Sequence, residues 1–190
     1  MAPRIKITRQ SIIDATIEII RRYGEEQVNA RDIARELGCS TQPIFSNFKN
    51  TDELRSVVGT EVKKMYYETV FDGIDKEKPY ESLISGYIHF AKAEKNLFRL
   101  LFMSEMYEFK SFKDLLEPED ERILNLIIED KRLTREQAEK LYISMRFFLH
   151  GMASYLARNI CDADQDEMFQ LLDTGLNGML QRYQYGKLQS

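Results

Sequence analysis

Residues 27–54 read QVNARDIARELGCSTQPIFSNFKNTDEL and set the plan of the chain. Asn29 is a strong helix N-cap, and Asp32 three residues later forms an imperfect capping box with it. Ile33, Ala34 and Leu37 recur at helical spacing on one face, and Gly38 follows where a helix end needs a left-handed residue. Ser40 or Thr41 is placed to cap a second short helix, with Pro43 in its first turn, where the missing N–H costs nothing. Ile44 and Phe48 supply its inward face; Gln42, Phe45, Ser46, Asn47 and Lys49 point elsewhere. Two short helices, a glycine turn and a polar outer face on the second helix spell a helix-turn-helix, the reading head of a DNA-binding protein.

The run Ile33-Ala34-Arg35-Glu36-Leu37-Gly38-Cys39-Ser40, then Pro43-Ile44-Phe45-Ser46-Asn47-Phe48-Lys49-Asn50, then Glu53-Leu54, resembles the signature of the tetracycline-repressor (TetR) family of bacterial transcriptional regulators. The match covers roughly residues 8–56; beyond residue 60 only the family's all-helical plan is similar. Three positions depart from the usual pattern. Cys39 stands for Val, Phe45 for Tyr (removing a phenolic hydroxyl that often reaches a phosphate) and Asn47 for His.

Composition sets bounds. The 190 residues are 31% charged and 43% hydrophobic, a globular balance with enough chain to bury a core. Two unpatterned cysteines, no signal-type apolar segment and no run long enough to span a bilayer predict a soluble cytoplasmic protein without a membrane partner. The net charge of −4 is uneven: residues 1–50 carry eight Lys/Arg against six acids, and residues 1–10 carry three bases and no acid. Phosphate binding needs only such a local surplus.

Helices are predicted throughout. Thr8 caps a first helix with an apolar stripe of Ile12, Ile13, Ile17, Ile20 and Tyr23, ended by Gly24. Asn50 and Glu53 form a capping box that opens a helix to about Phe71. A loop follows from Asp72 to Pro79, then a helix from Tyr80 to about Lys92 and a shorter one capped by Asn96. Pro118 starts a helix, Thr134 with Gln137 caps one from about Arg135 to Asn159, and a last helix runs from about Asp164 to Tyr185. The fold is predicted all-α: a three-helix helix-turn-helix domain over residues 1–50, its connecting helix reaching about residue 71, and a helical ligand-binding and dimerisation bundle over residues 51–190.

The DNA-contacting set follows. Gln42 is the candidate base reader, since its amide can pair in a bidentate way with adenine. Pro43 and Ile44, if outward, press on a thymine methyl. Lys49, Asn47 and the arm residues Arg4, Lys6 and Arg9 hold phosphates, with Thr41 and Phe45 beside them and Asn29, Ala30 and Arg31 at the start of the first motif helix.

On apolar spacing, Leu149, Met152, Ala153 and Leu156 on one helix and Leu172, Leu176 and Met179 on the last are equally ordinary core or a dimer seam. Gly151, Gly175 and Gly178 would allow close helix approach there. The resemblance implies the dimer, paired through the last two helices, and a pseudo-palindromic operator in double-stranded DNA. It also implies a small-molecule inducer in the body. The aromatic and methionine richness there suggests an apolar cavity among Tyr66, Tyr87, Phe102, Met103, Met106 and Phe148, with His89 as a polar anchor. No cluster has metal-ligand spacing, no cofactor is expected, and no phosphate loop or nucleophile elbow marks an enzyme. The competing reading is a helical adaptor for protein or lipid partners, against which stand the polar face of Gln42–Lys49 and the acid-free basic arm.

Overall fold

The computed structural model describes residues 7–71, 74–75, 77, 79–104, 110–161 and 165–185. Nine α-helices run in chain order among them, with no strand: α1 Arg9–Tyr23, α2 Ala30–Glu36, α3 Gln42–Asn47, α4 Thr51–Phe71, α5 Pro79–Ala93, α6 Lys95–Phe102, α7 Glu121–Lys131, α8 Arg135–Ala157 and α9 Gln165–Tyr185. They form two compact units, residues 1–69 with 93–107 and residues 70–92 with 108–190. None of the helices described is long and apolar enough to cross a membrane.

In the first unit α1 packs on α2, α3 and α6. Thr8 caps α1 in a reciprocal box with Ser11, and Gly24 ends it at φ 90°, a conformation open to glycine. Ile12, Ile13, Ile17 and Ile20 are buried, whereas Tyr23, expected on that stripe, is exposed. Asn96 does not cap α6. That position belongs to Glu94, and the Asn96 amide instead donates to the carbonyl of Arg21 at 3.1 Å, beside an Arg21–Glu94 ion pair at 2.8 Å. These contacts bind α6 to the end of α1.

The second unit is centred on α8, which packs against α7 and α9. Thr134 and Gln137 cap it reciprocally, as the sequence predicts. Pro118 opens a 3-10 turn, Pro118–Asp120, ahead of α7. Asp120 is 2% exposed and fully engaged: it accepts from the Tyr142 hydroxyl at 2.7 Å, from Arg146 at 3.0 Å and from the Glu117 N–H at 2.9 Å. A carboxylate so deep in a fold persists only with such partners.

Candidate nucleic-acid interface

The turn between α2 and α3 is built from local rules. Asn29 accepts the N–H groups of Arg31 and Asp32, each at 3.1 Å. Asp32 bonds the Asn29 side-chain amide and not its backbone, which is why the capping box is imperfect. At the other end Gly38 takes φ 63°; its N–H bonds the Arg35 carbonyl and the Cys39 N–H bonds that of Ala34 at 2.9 Å. That pair of bonds is a Schellman stop, whose closing apolar contact a small residue such as Cys39 can supply. Thr41 holds the N-cap position of α3, although its side chain makes no capping bond, and Pro43 lies in the first turn.

Arg9 fixes α3 from the side. Its guanidinium lies over the Phe48 ring at 4.1 Å, donates to the Asn47 carbonyl and pairs with Glu53 at 3.1 Å. Glu53 also accepts the Lys49 N–H at 2.7 Å, and its own N–H bonds Asn50 at 2.8 Å. The Lys49 N–H first, and Arg9 second, hold the Glu53 carboxyl below its ordinary range. One ionic clamp therefore joins the start of α1, the end of α3 and the start of α4.

The outward face of α3 presents Gln42, Phe45 and Ser46, with Lys49 just beyond, all exposed. Phe45, at 53% exposure, borders a concavity of about 630 Å³ lined also by Thr41, Asn29, Ala30, Arg31, Asp32 and Arg35, the last two ion-paired at 2.6 Å. Arg35 was not among the residues expected here. Its signal is the spacing from Arg31, four residues on and therefore on the same helix face.

Ile44, expected on the inward face with Phe48, is 2% exposed and packs inward, which closes the thymine-methyl contact it would make if outward. The first-turn N–H groups of Arg31 and Asp32 are already taken by Asn29, which removes them as phosphate donors. The Asn47 amide is half-buried and donates one N–H to the Pro43 carbonyl at 2.8 Å, and Arg9, whose side chain is 45% exposed, also serves the clamp just described. Arg4 and Lys6 lie outside the described residues.

No family model matches the chain. A helix-turn-helix transcriptional regulator of Bacillus subtilis, YobS, itself uncharacterised, is 20% identical over 95% of this chain and 96% of its own. The nicotine-responsive repressor HdnoR of Paenarthrobacter nicotinovorans is 36% identical, over 33% of this chain and 32% of its own. Among solved structures, a TetR variant of Acinetobacter baumannii in complex with minocycline superposes with a TM-score of 0.62, covering 97% of this chain and 99% of that one at 12% identity. A TetR-family protein of Vibrio parahaemolyticus gives the same score at 16% identity, over 89% and 96%. The chain has the TetR fold.

Within that TetR fold the expected pocket residues belong to both units. Tyr66 is buried against Tyr67 and Phe102, at ring distances of 5.2 and 5.1 Å, as part of the first unit. Met103 and His89 are exposed, which removes His89 as a cavity anchor, and Met106 lies outside the described residues. In the second unit the Tyr87 hydroxyl meets Nδ1 of His150 at 3.1 Å. Burial, and then the Arg146 charge, push His150 below its ordinary value, favouring the neutral ring. Phe148 is exposed and spreads over Gly175 of α9.

Four of the seven residues expected in the dimer seam are core residues of the chain itself. Leu149, Ala153, Leu156 and Leu172 are buried within the chain's own fold, and Leu172 and Leu176 line a groove shared with α5 and α7. Met152 and Met179 are half-buried. Gly151 and Gly178 face open space, so neither serves a close helix approach within the chain. The exposed residues are Phe148 and Tyr155 on α8 and Leu171 and Gly178 on α9, with half-buried Gly151 and Gly175 between them at helical spacing. The Phe148–Gly175 contact makes the two strips adjoin.

Proposed function

We propose that this chain is a homodimeric, sequence-specific DNA-binding regulator of transcription, a repressor that a small ligand releases from a pseudo-palindromic operator in the cytoplasm. Residues 1–50 act as the reading head and residues 51–190 as the ligand-binding and pairing body. The observation that carries the reading is the α3 face: Gln42, Phe45, Ser46 and Lys49 stand exposed on a helix held from behind by Ile44, Phe48 and the Arg9–Glu53 clamp. Exposed polar groups on a rigid short helix suit base edges in a major groove, and the Gln42 amide suits adenine.

Pairing rests on the outward strip of α8 and α9, where Tyr155 is 55% and Leu171 51% exposed. Large apolar side chains grouped on one face mark an association surface. A two-fold dimer sets two reading heads about 34–36 Å apart, one turn of the duplex. A nicotine-responsive relative and a minocycline-bound structural neighbour support a small-molecule ligand. The ligand must favour the DNA-incompetent state, and its effect reaches the head along α4, whose backbone runs from the first unit into the second.

Selection of bound duplexes from a random pool tests the reading. Enrichment of a two-fold-symmetric site, with binding that weakens steeply with salt, is the expected result. Recovery of no preferred duplex would favour the adaptor reading.

A further inference from the structure

Within the second unit, α5, α7 and α9 border a groove of about 940 Å³, the size of an organic-ligand site. Its floor is apolar: Ile84, Leu172 and Leu180 are buried, and Leu126 and Leu176 half-buried. Its edge is acidic. Glu77, Glu81, Glu129, Asp130 and Asp173 line it, against one base among the described residues, Lys131, whose Nζ lies 2.6 Å from Asp130. These carboxylates are spread around the groove: among the described residues no three His, Cys, Asp or Glu side chains gather as a metal site.

Each part of this lining selects. With five carboxylates against Lys131 among the described lining residues, the surplus negative charge attracts a cation and repels an anion. A small hydrated cation would leave the leucine and isoleucine floor unused, and a neutral apolar molecule would leave the rim unused. A second copy of the chain would bring the same acidic rim to the contact, which like-charge repulsion opposes. We infer that the α5–α7–α9 groove binds an organic cation, an apolar body carrying a protonated or quaternary amine. This names the ligand class for the regulator proposed above and rests on that reading only for its coupling to DNA.

The test is calorimetric titration of the full chain, without DNA, by tetraphenylphosphonium and by tetraphenylborate, ions of matched shape and opposite charge. The cation is expected to bind one per chain and to exceed the borate about tenfold or more at low salt. Glu129 and Asp173 are both exposed, so the double variant Glu129→Gln/Asp173→Asn keeps the fold and should lose most of that preference. Leu176→Ala should weaken both ions alike. Equal affinity for the two ions, or a cation affinity unmoved by the double variant, would overturn the inference. So would a groove that ignores the cation and instead takes up a lysine-rich amphipathic peptide, the mark of a protein partner. A separate titration against operator complex keeps the two claims apart. Cation binding that leaves DNA affinity unchanged supports the groove's ligand class and contradicts ligand-coupled release.

Discussion

The Arg9 guanidinium sits 4.1 Å from the centre of the Phe48 ring and so ties α1 to the end of α3. Phe48 is buried, and Arg9 continues past it to Glu53 at the start of α4. A cation over an aromatic face and an ion pair at its far end fix the guanidinium plane at both ends. The orientation of Gln42–Asn47 therefore depends on a residue more than thirty positions away in sequence.

The clamp predicts acid sensitivity in the first unit. Glu53 is held below its ordinary value of 4.5 by the Lys49 N–H first and by Arg9 second. A depressed carboxyl contributes stability that is present above its unfolded value and lost as pH falls through the folded one. In thermal melts Glu53→Gln should lie below the wild type at neutral pH, and the gap should close as pH drops below 4.5. A gap that stays constant into acid would remove Glu53 from the clamp.

Ile44 separates packing from base reading. Because it is buried, Ile44→Val should cost about 0.5–1.5 kcal/mol and Ile44→Ala about 2–5 kcal/mol in denaturant unfolding. Ile44→Val should keep the wild-type operator preference. A changed preference at one base pair would place Ile44 in the groove.

Lys49 carries the charge expected on the DNA backbone. Lys49→Ala should weaken binding to all duplexes alike and lower the salt slope by about one unit for each phosphate that the ammonium neutralises. Fluorescence anisotropy across a salt series gives that slope. A weakening confined to one sequence would mean that Lys49 reads a base.

Two leucines distinguish seam from core. Leu171→Glu places a charge on the outward strip of α9 and should yield folded monomers in sedimentation, with native helical circular dichroism. Leu149→Glu buries an unpaired charge in α8 and should unfold the second unit. A stable Leu171→Glu dimer would move the interface off this strip.

What was legible in the sequence follows how local each determinant is. Asn29, Gly38 and Pro43 act within a few residues of themselves, and the α2–turn–α3 segment could be read from them directly. The four-residue spacing of Ile44 and Phe48 sets the inward face of α3, and both are buried. The α1–α6 union depends on Arg21 meeting Glu94 and Asn96 across more than seventy residues, and no periodicity encodes that. Leu149 and Leu171 both fit an apolar stripe; only the packed helices decide which is buried. The acidic groove was illegible for the same reason, since its carboxylates come from separate stretches of chain.

The central claim is that the exposed face of α3 reads DNA, and Gln42 tests it most directly. Binding selection from one random duplex pool should be run with the wild type and with Gln42→Ala. Both should recover a two-fold-symmetric site, and the variant should lose discrimination at one or two base pairs per half-site, worth about 1–3 kcal/mol, at an unchanged salt slope. Recovery of the same sequence logo by both proteins would contradict the claim.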